Sequence, residues 1–143
     1  MREEIKLKKW SLAKWKKEFW KVFAVYIKRR DKGICITCGK GGLHGHEYQA
    51  GHCIPAGASP LPLYFSEKNV NGQCMRCNQF LGGMGAIYRE KVDKKWGEGT
   101  YKELEKMMSD NSIRCDKKDY LDLINFYKAK AASTSPSRRN VRK

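Results

Sequence analysis

Cys35-Ile36-Thr37-Cys38 and Cys74-Met75-Arg76-Cys77 are two Cys-x-x-Cys steps with 35 residues between them. Each step can turn two thiolates toward one point, and two such knuckles supply four sulfurs to a tetrahedral zinc at about 2.3 Å. Two unrelated pairs of buried cysteines would seldom share this spacing, and redox chemistry needs only one pair. Cys35, Cys38, Cys74 and Cys77 are therefore read as ligands of one zinc ion. Four thiolates leave no open coordination position, which makes the ion structural rather than catalytic. The intervening stretch is longer than the roughly 15 to 20 residues of a simple zinc ribbon, so an inserted segment is expected between the knuckles.

A chain of 143 residues has the size of one small domain, whose apolar core is marginal without a staple such as this zinc. No run of about 18 apolar residues is present, nor a secretory apolar segment, so neither a membrane span nor export is expected. A reducing cytoplasm follows, in which Cys53 and Cys115, lacking partner spacing, are ordinary thiols.

Thirty Lys and Arg against fifteen Asp and Glu give a net charge of +15. Residues 1–30 carry eleven basic and three acidic side chains, residues 128–143 six basic and none acidic, and the middle is close to neutral. Two cationic arms around a neutral centre suit a polyanion, and nucleic acid is the usual one.

From Ser11, an N-cap residue, Leu12, Trp15, Phe19, Val22, Phe23, Tyr26 and Ile27 recur at three- and four-residue steps and predict an amphipathic helix. Its opposite face carries Lys14, Lys16, Lys17, Lys21 and Lys28. Short strands are expected at Glu47–Ala50 and Val70–Gln73, separated by a loop in which Pro55, Pro60 and Pro62 oppose regular structure. A helix should begin near Met75, weaken at Gly82, Gly83 and Gly85, and resume through Tyr88 and Val92. Thr100 with Glu103 reads as a capping box for a helix burying Tyr101, Leu104, Met107 and Met108. Asp116 caps a last helix with the stripe Tyr120, Leu121, Ile124 and Tyr127, and the Ser, Thr, Pro and Arg residues beyond it read as a disordered basic tail.

All three histidines lie between the knuckles. His52 follows a strand and precedes the proline-rich loop, where an imidazole can project into a cleft, whereas His44 and His46 read as solvated loop residues. Asn78 directly follows Cys77, so zinc would hold it opposite His52. Arg29, Arg30, Arg76 and Arg89 are candidates for phosphate contact.

Tyr26-Ile27-Lys28-Arg29-Arg30-Asp31, Cys35-Ile36-Thr37-Cys38-Gly39, Ala50-Gly51-His52, the run from Asn69 to Asn78, and Tyr88-Arg89 together resemble the NinG/Rap family of phage recombination nucleases, a branch of the HNH superfamily. The resemblance implies an α+β fold, a zinc-stapled ββα-metal core flanked by helices. Residues 1–32 would form the basic helix, 33–95 the nuclease core, 96–131 the C-terminal helices and 132–143 the basic tail. It further implies that His52 is the general base, that Asn69 fixes the loop and the histidine, and that Asn78 binds a catalytic Mg²⁺ or Mn²⁺ ion. Related sequences often carry Asp three residues before the histidine as an ion ligand. Here Gln49 stands in that place, a neutral and weaker donor, with Glu47 as a substitute two residues earlier.

The implied activity is hydrolysis of DNA phosphodiester bonds at branched recombination intermediates such as Holliday junctions and displacement loops, by a phage protein in the bacterial cytoplasm. A homodimer is expected, because junction enzymes usually make paired cuts. The competing expectation is a non-catalytic zinc module that binds DNA, with Gln49 as its best support.

Overall fold

The computed structural model describes residues 9–134, so the tail expected at 132–143 lies mostly outside the described residues. Helix α1, Leu12–Asp31, starts where Ser11 accepts a hydrogen bond from the Lys14 amide and stops where Lys32 turns left-handed. Trp15, Phe19, Phe23, Tyr26 and Ile27 form its buried stripe, while Leu12 is 49% exposed and stands outside the core. Strand β1, Tyr48–His52, pairs antiparallel with β2, Val70–Cys74, in the register Tyr48↔Cys74 to His52↔Val70. Every residue of β2 is buried.

The prolines between the strands do not exclude helix. Pro60 caps and Pro62 occupies the first turn of a short helix α2, Leu61–Tyr64, positions where no helical N–H is needed. After β2 the chain makes one π-helical turn, Arg76–Phe80, and then breaks. Gly82, Gly83 and Met84 all take positive φ before α3 begins, Gly85–Trp96. Helix α4, Thr100–Lys106, is capped by left-handed Gly99, not by a Thr100 side chain, so the expected box does not form and Met108 stays exposed. The N-terminal demand is met from outside: Asp93 Oδ1 accepts the Tyr101 amide at 2.8 Å. Helix α5, Lys117–Ala132, carries a full capping box between Asp116 and Asp119.

Helices α1 and α5 lie together with β2 beneath them, and Trp15, Phe19, Phe23, Tyr26, Ile27, Val70, Tyr120 and Ile124 share one core. Burying each such aromatic side chain stabilises the fold by roughly 1.5–3 kcal/mol. A second cluster joins Leu63, Tyr88, Val92 and Leu104, and a third surrounds the cysteines. The architecture is thus helices around a small antiparallel sheet.

A polar knot fixes β2 against both flanking helices. Asp31 accepts from Arg30 Nε (2.7 Å), Arg30 Nη2 (2.9 Å), Lys95 Nζ (2.8 Å) and the Gly72 amide (2.7 Å). Arg30 also donates to the carbonyls of Glu67 and Val70 and to Asn71 Oδ1. Burial alone would raise the Asp31 carboxyl, but the hydrogen bonds and charge of Arg30, with Lys95, hold it below its ordinary value.

Candidate functional site

The four knuckle sulfurs lie within 4.8 Å of one another. Cys38 Sγ and Cys74 Sγ are 3.8 Å apart, matching the edge of about 3.8 Å that a tetrahedron with 2.3 Å metal–sulfur bonds requires. The Cys77 amide points at Cys74 Sγ at 3.4 Å, and the Thr37 hydroxyl lies 3.3 Å from Cys35 Sγ. Burial opposes ionisation of Cys35, yet Thr37 and the surrounding backbone amides bring its thiol down to about 6. Burial, with the neighbouring Cys74 and Cys35, pushes Cys77 up to about 12 against the lowering effect of Thr37, and four thiols this close cannot all ionise without a cation among them. The set therefore fits a metal such as zinc. The first knuckle is hooked onto β2 by Ile36 N–H to the Gly72 carbonyl at 2.8 Å, so an ion here would fix the sheet edge.

His52 ends β1. Its Nε2 is 2.9 Å from the Tyr64 carbonyl, and since a carbonyl only accepts, Nε2 carries the proton and Nδ1 keeps its lone pair. The imidazole stacks on Trp20 of α1, with centroids 4.9 Å apart and planes 16° apart, and meets Tyr64 at 4.6 Å. Burial, with the nearby Lys16 charge, lowers its pKa below the ordinary 6.5, against the raising effect of the Tyr64 carbonyl. His52 is accordingly neutral and basic at neutral pH.

Asn69, fully buried, accepts from the Ile54 amide at 2.8 Å and donates to the Ile54 and Leu63 carbonyls at 3.2 Å. It clamps both ends of the loop after His52, and the Tyr64 carbonyl that holds His52 follows directly. Tyr88 of α3 donates to the Gly51 carbonyl at 2.5 Å, fixing the residue before His52.

Asn78 Nδ2 donates to Gln49 Oε1 at 2.8 Å, and Gln79 Nε2 reaches the same oxygen at 3.1 Å. A side chain at Gly51 would collide with Gln73 Oε1 and come within 2.7 Å of Asn78 Oδ1, so glycine before His52 is what lets Asn78 approach the strand. Gln73 Nε2 is held by Thr37 Oγ1 and the Gly83 carbonyl, while its Oε1 is buried without a partner.

A cleft of about 600 Å³ opens on this side, lined by His52, Asn78, Arg89, Tyr101, Gly82, Gly83, Gly85 and Ala86, among others. No side chain caps the α3 N-terminus, which begins at Gly85. Arg89 lies over the Tyr101 ring at 5.0 Å. Cys53 also lines the cleft, but burial pushes its thiol up to about 12, which makes it inert.

The structure thus brings His52, Asn78 and Arg89 to one cleft, with Asn69 buried behind it. Gln49 is not a cleft-lining residue and its oxygen is taken by two amide donors; Glu47 sits exposed in a 3₁₀ turn, Gly45–Glu47, before the strand begins. Arg30 does not face solvent as a phosphate contact would require, because its guanidinium is engaged in the Asp31 knot. Arg29 is exposed and reaches the Ala131 carbonyl at the end of α5, and Arg76 is exposed on the π turn. Sequence reasoning missed Trp20 and Gln73. Trp20 stands one position off the apolar stripe and four after Lys16, the only hint of a separate task.

A family model described as "Bacteriophage Lambda NinG protein" matches residues 2–135. Proteins named "Protein ninG" are similar: those of Escherichia phage 933W (31% identical over 108 residues, 73% of this chain and 52% of the relative), Escherichia phage lambda (31% over 107 residues, 72% and 51%) and Salmonella phage P22 (31% over 107 residues, 72% and 51%). The chain spans about half the length of these curated relatives. No solved structure matches.

Proposed function

Because the chain belongs to the NinG family, we propose from that premise that it is a metal-dependent DNA endonuclease of the HNH kind, acting on branched recombination intermediates, with a structural zinc in the cysteine site. The observation that carries this is His52: a half-buried, neutral imidazole with its Nε2 proton on a carbonyl and its Nδ1 lone pair without a hydrogen bond among the described residues, at a cleft shared with Asn78 and Arg89. That is the arrangement of a general base.

In this reading His52 Nδ1 takes a proton from the attacking water. The Tyr64 carbonyl holds Nε2, and Asn69 keeps the Tyr64 segment in place. The α3 N-terminus and Arg89 offer positive potential for the scissile phosphate. Among the described residues, those lining the cleft include no Asp or Glu, so the protein donors fit a hard divalent ion only in company with the anionic oxygens of the phosphate. With Asn78 Oδ1 and those oxygens as ligands, Mg²⁺ or Mn²⁺ would stabilise charge on the leaving oxygen. Exposed Lys14, Lys17 and Lys21 on α1 give a cationic face for DNA.

The missing carboxylate favours one alternative, a non-catalytic zinc module that binds DNA. Cleavage of a four-way junction and of the matching linear duplex, with and without Mg²⁺ or Mn²⁺, separates them. Metal-dependent cutting of the junction in preference to the duplex is expected; junction binding with no cutting in either metal would establish the binding module.

A further inference from the structure

We propose that Trp20, in the N-terminal helix, is a positioning residue for His52, so that α1 is part of the reactive centre as well as a cationic surface. This deepens the nuclease reading and rests on it.

The geometry is specific. Trp20 and His52 are parallel within 16° at 4.9 Å, while Tyr64 stands edge-on to Trp20 (70°, 5.6 Å) and tilted to His52 (54°, 4.6 Å). The rings of Trp20, Tyr64 and His52 form a triangle in which two aromatic rings flank the imidazole, and the imidazole is further held by the bond from Nε2 to the Tyr64 carbonyl. One hydrogen bond fixes a point on a ring but leaves it free to swing about that point. A flat indole against its face removes that swing, because tilting the imidazole would lose the stacked contact.

Trp20 itself is not a floating side chain. It is half-buried and packs on Phe23 at 6.0 Å and Phe65 at 6.4 Å. One turn earlier, Lys16 lies 4.2 Å over the face of Tyr64. Lys16 and Trp20, four residues apart and so on one helix face, therefore both engage the His52–Tyr64 pair. The core stripe of Trp15, Phe19, Phe23, Tyr26 and Ile27 fixes the rotation of α1, and that rotation brings the Lys16–Trp20 face onto the end of β1. Trp20 touches the base and acts through it, holding the plane of the imidazole fixed beside the cleft that His52 lines.

Trp20→Phe retains a flat ring, Trp20→Leu retains apolar bulk without one, and Trp20→Ala removes both. Two readouts apply to the 143-residue, zinc-loaded chain: single-turnover cleavage of a bound junction, with affinity measured separately in Ca²⁺, and the His52 ring-proton shifts by NMR. The parent and the Phe variant should show upfield-shifted His52 ring protons and similar rates. Leu and Ala should lose the shift and cut about 10- to 100-fold more slowly, the scale of a misplaced reacting group, with junction affinity unchanged. If Ala fails to fold, Leu against Phe decides the matter. Equal rates in all folded variants of a parent that cuts would overturn the positioning role alone. A parent that shows the shift but cuts no DNA in Mg²⁺ or Mn²⁺ would overturn the nuclease reading and this role with it.

Discussion

Asn78 Nδ2 donates to Gln49 Oε1 at 2.8 Å, across the gap between the strand that ends in His52 and the π turn that carries Cys77. The bond turns the other end of the carboxamide, Oδ1, toward Gly51. Gln49 therefore orients Asn78, and its neutrality has a cost: the proposed ion site gains no charge from it. Gln49→Glu keeps the length and the acceptor while adding a negative charge beside Asn78. It should lower the Mg²⁺ or Mn²⁺ concentration for half-maximal cleavage, and Gln49→Leu, which releases Asn78, should raise it. A metal titration of the three proteins in which both variants match the parent would remove Gln49 from the site.

The cysteine knuckles sit where zinc would weld the first loop to β2 and the π turn to β2's end. Elemental analysis should find one zinc per chain. Cys77→Ser should unfold the protein or strip its metal, since binding energy at such sites is largely folding energy. Well-folded protein without zinc would contradict the proposed site.

Asp31 gives a stability prediction with a defined sign. Its carboxyl sits below the ordinary 3.8 in the folded chain, so the unfolded chain binds the proton more readily. The contribution is complete above pH about 4 and is lost as pH falls through the lowered folded value. Asp31→Asn leaves Arg30 and Lys95 without their buried counter-charge and should cost about 3–5 kcal/mol in urea unfolding at neutral pH. The variant should also lose part of the parent's acid sensitivity. Equal unfolding free energies for the two proteins at pH 7 would show that the knot is not stabilising.

What could be read from the sequence follows what is local. The stripe of α1 is a repeat of 3.6 residues, the knuckles are a spacing of two, and Asp116 caps α5 from next door, so each was legible. Residues whose partners come from distant segments were not. Arg30 looks like surface charge until it meets the Val70 carbonyl of β2 and the Trp96 ring of α3. Trp20 looks like a flank of the core until it meets His52. Thr100 with Glu103 fits a capping pattern, but Gly99 turns left-handed and Asp93 supplies the acceptor from the preceding helix, so tertiary contact displaced the local device.

His52 carries the last prediction, because its environment sets both rate and pH dependence. His52→Ala leaves the cysteines, α1's cations and Asn78 untouched, so junction affinity should stay within a few-fold while cleavage falls by about 10² to 10⁴, the usual contribution of a positioned base. In the parent, burial and the Lys16 charge hold the imidazole below 6.5, so it stays unprotonated into mildly acidic solution. The acid limb of single-turnover cleavage should therefore lie below pH 6.5, and His52→Ala should abolish it. Lys16→Met removes one of the two influences that lower the pKa and should move that limb upward. The same sign governs folding: a histidine with a lowered folded pKa favours the native state at high pH, and that advantage is lost as pH falls and the unfolded chain takes the proton first. An acid limb that stays in place in Lys16→Met, or persists in His52→Ala, would assign the titrating group elsewhere and leave His44 and His46 to be tested in turn.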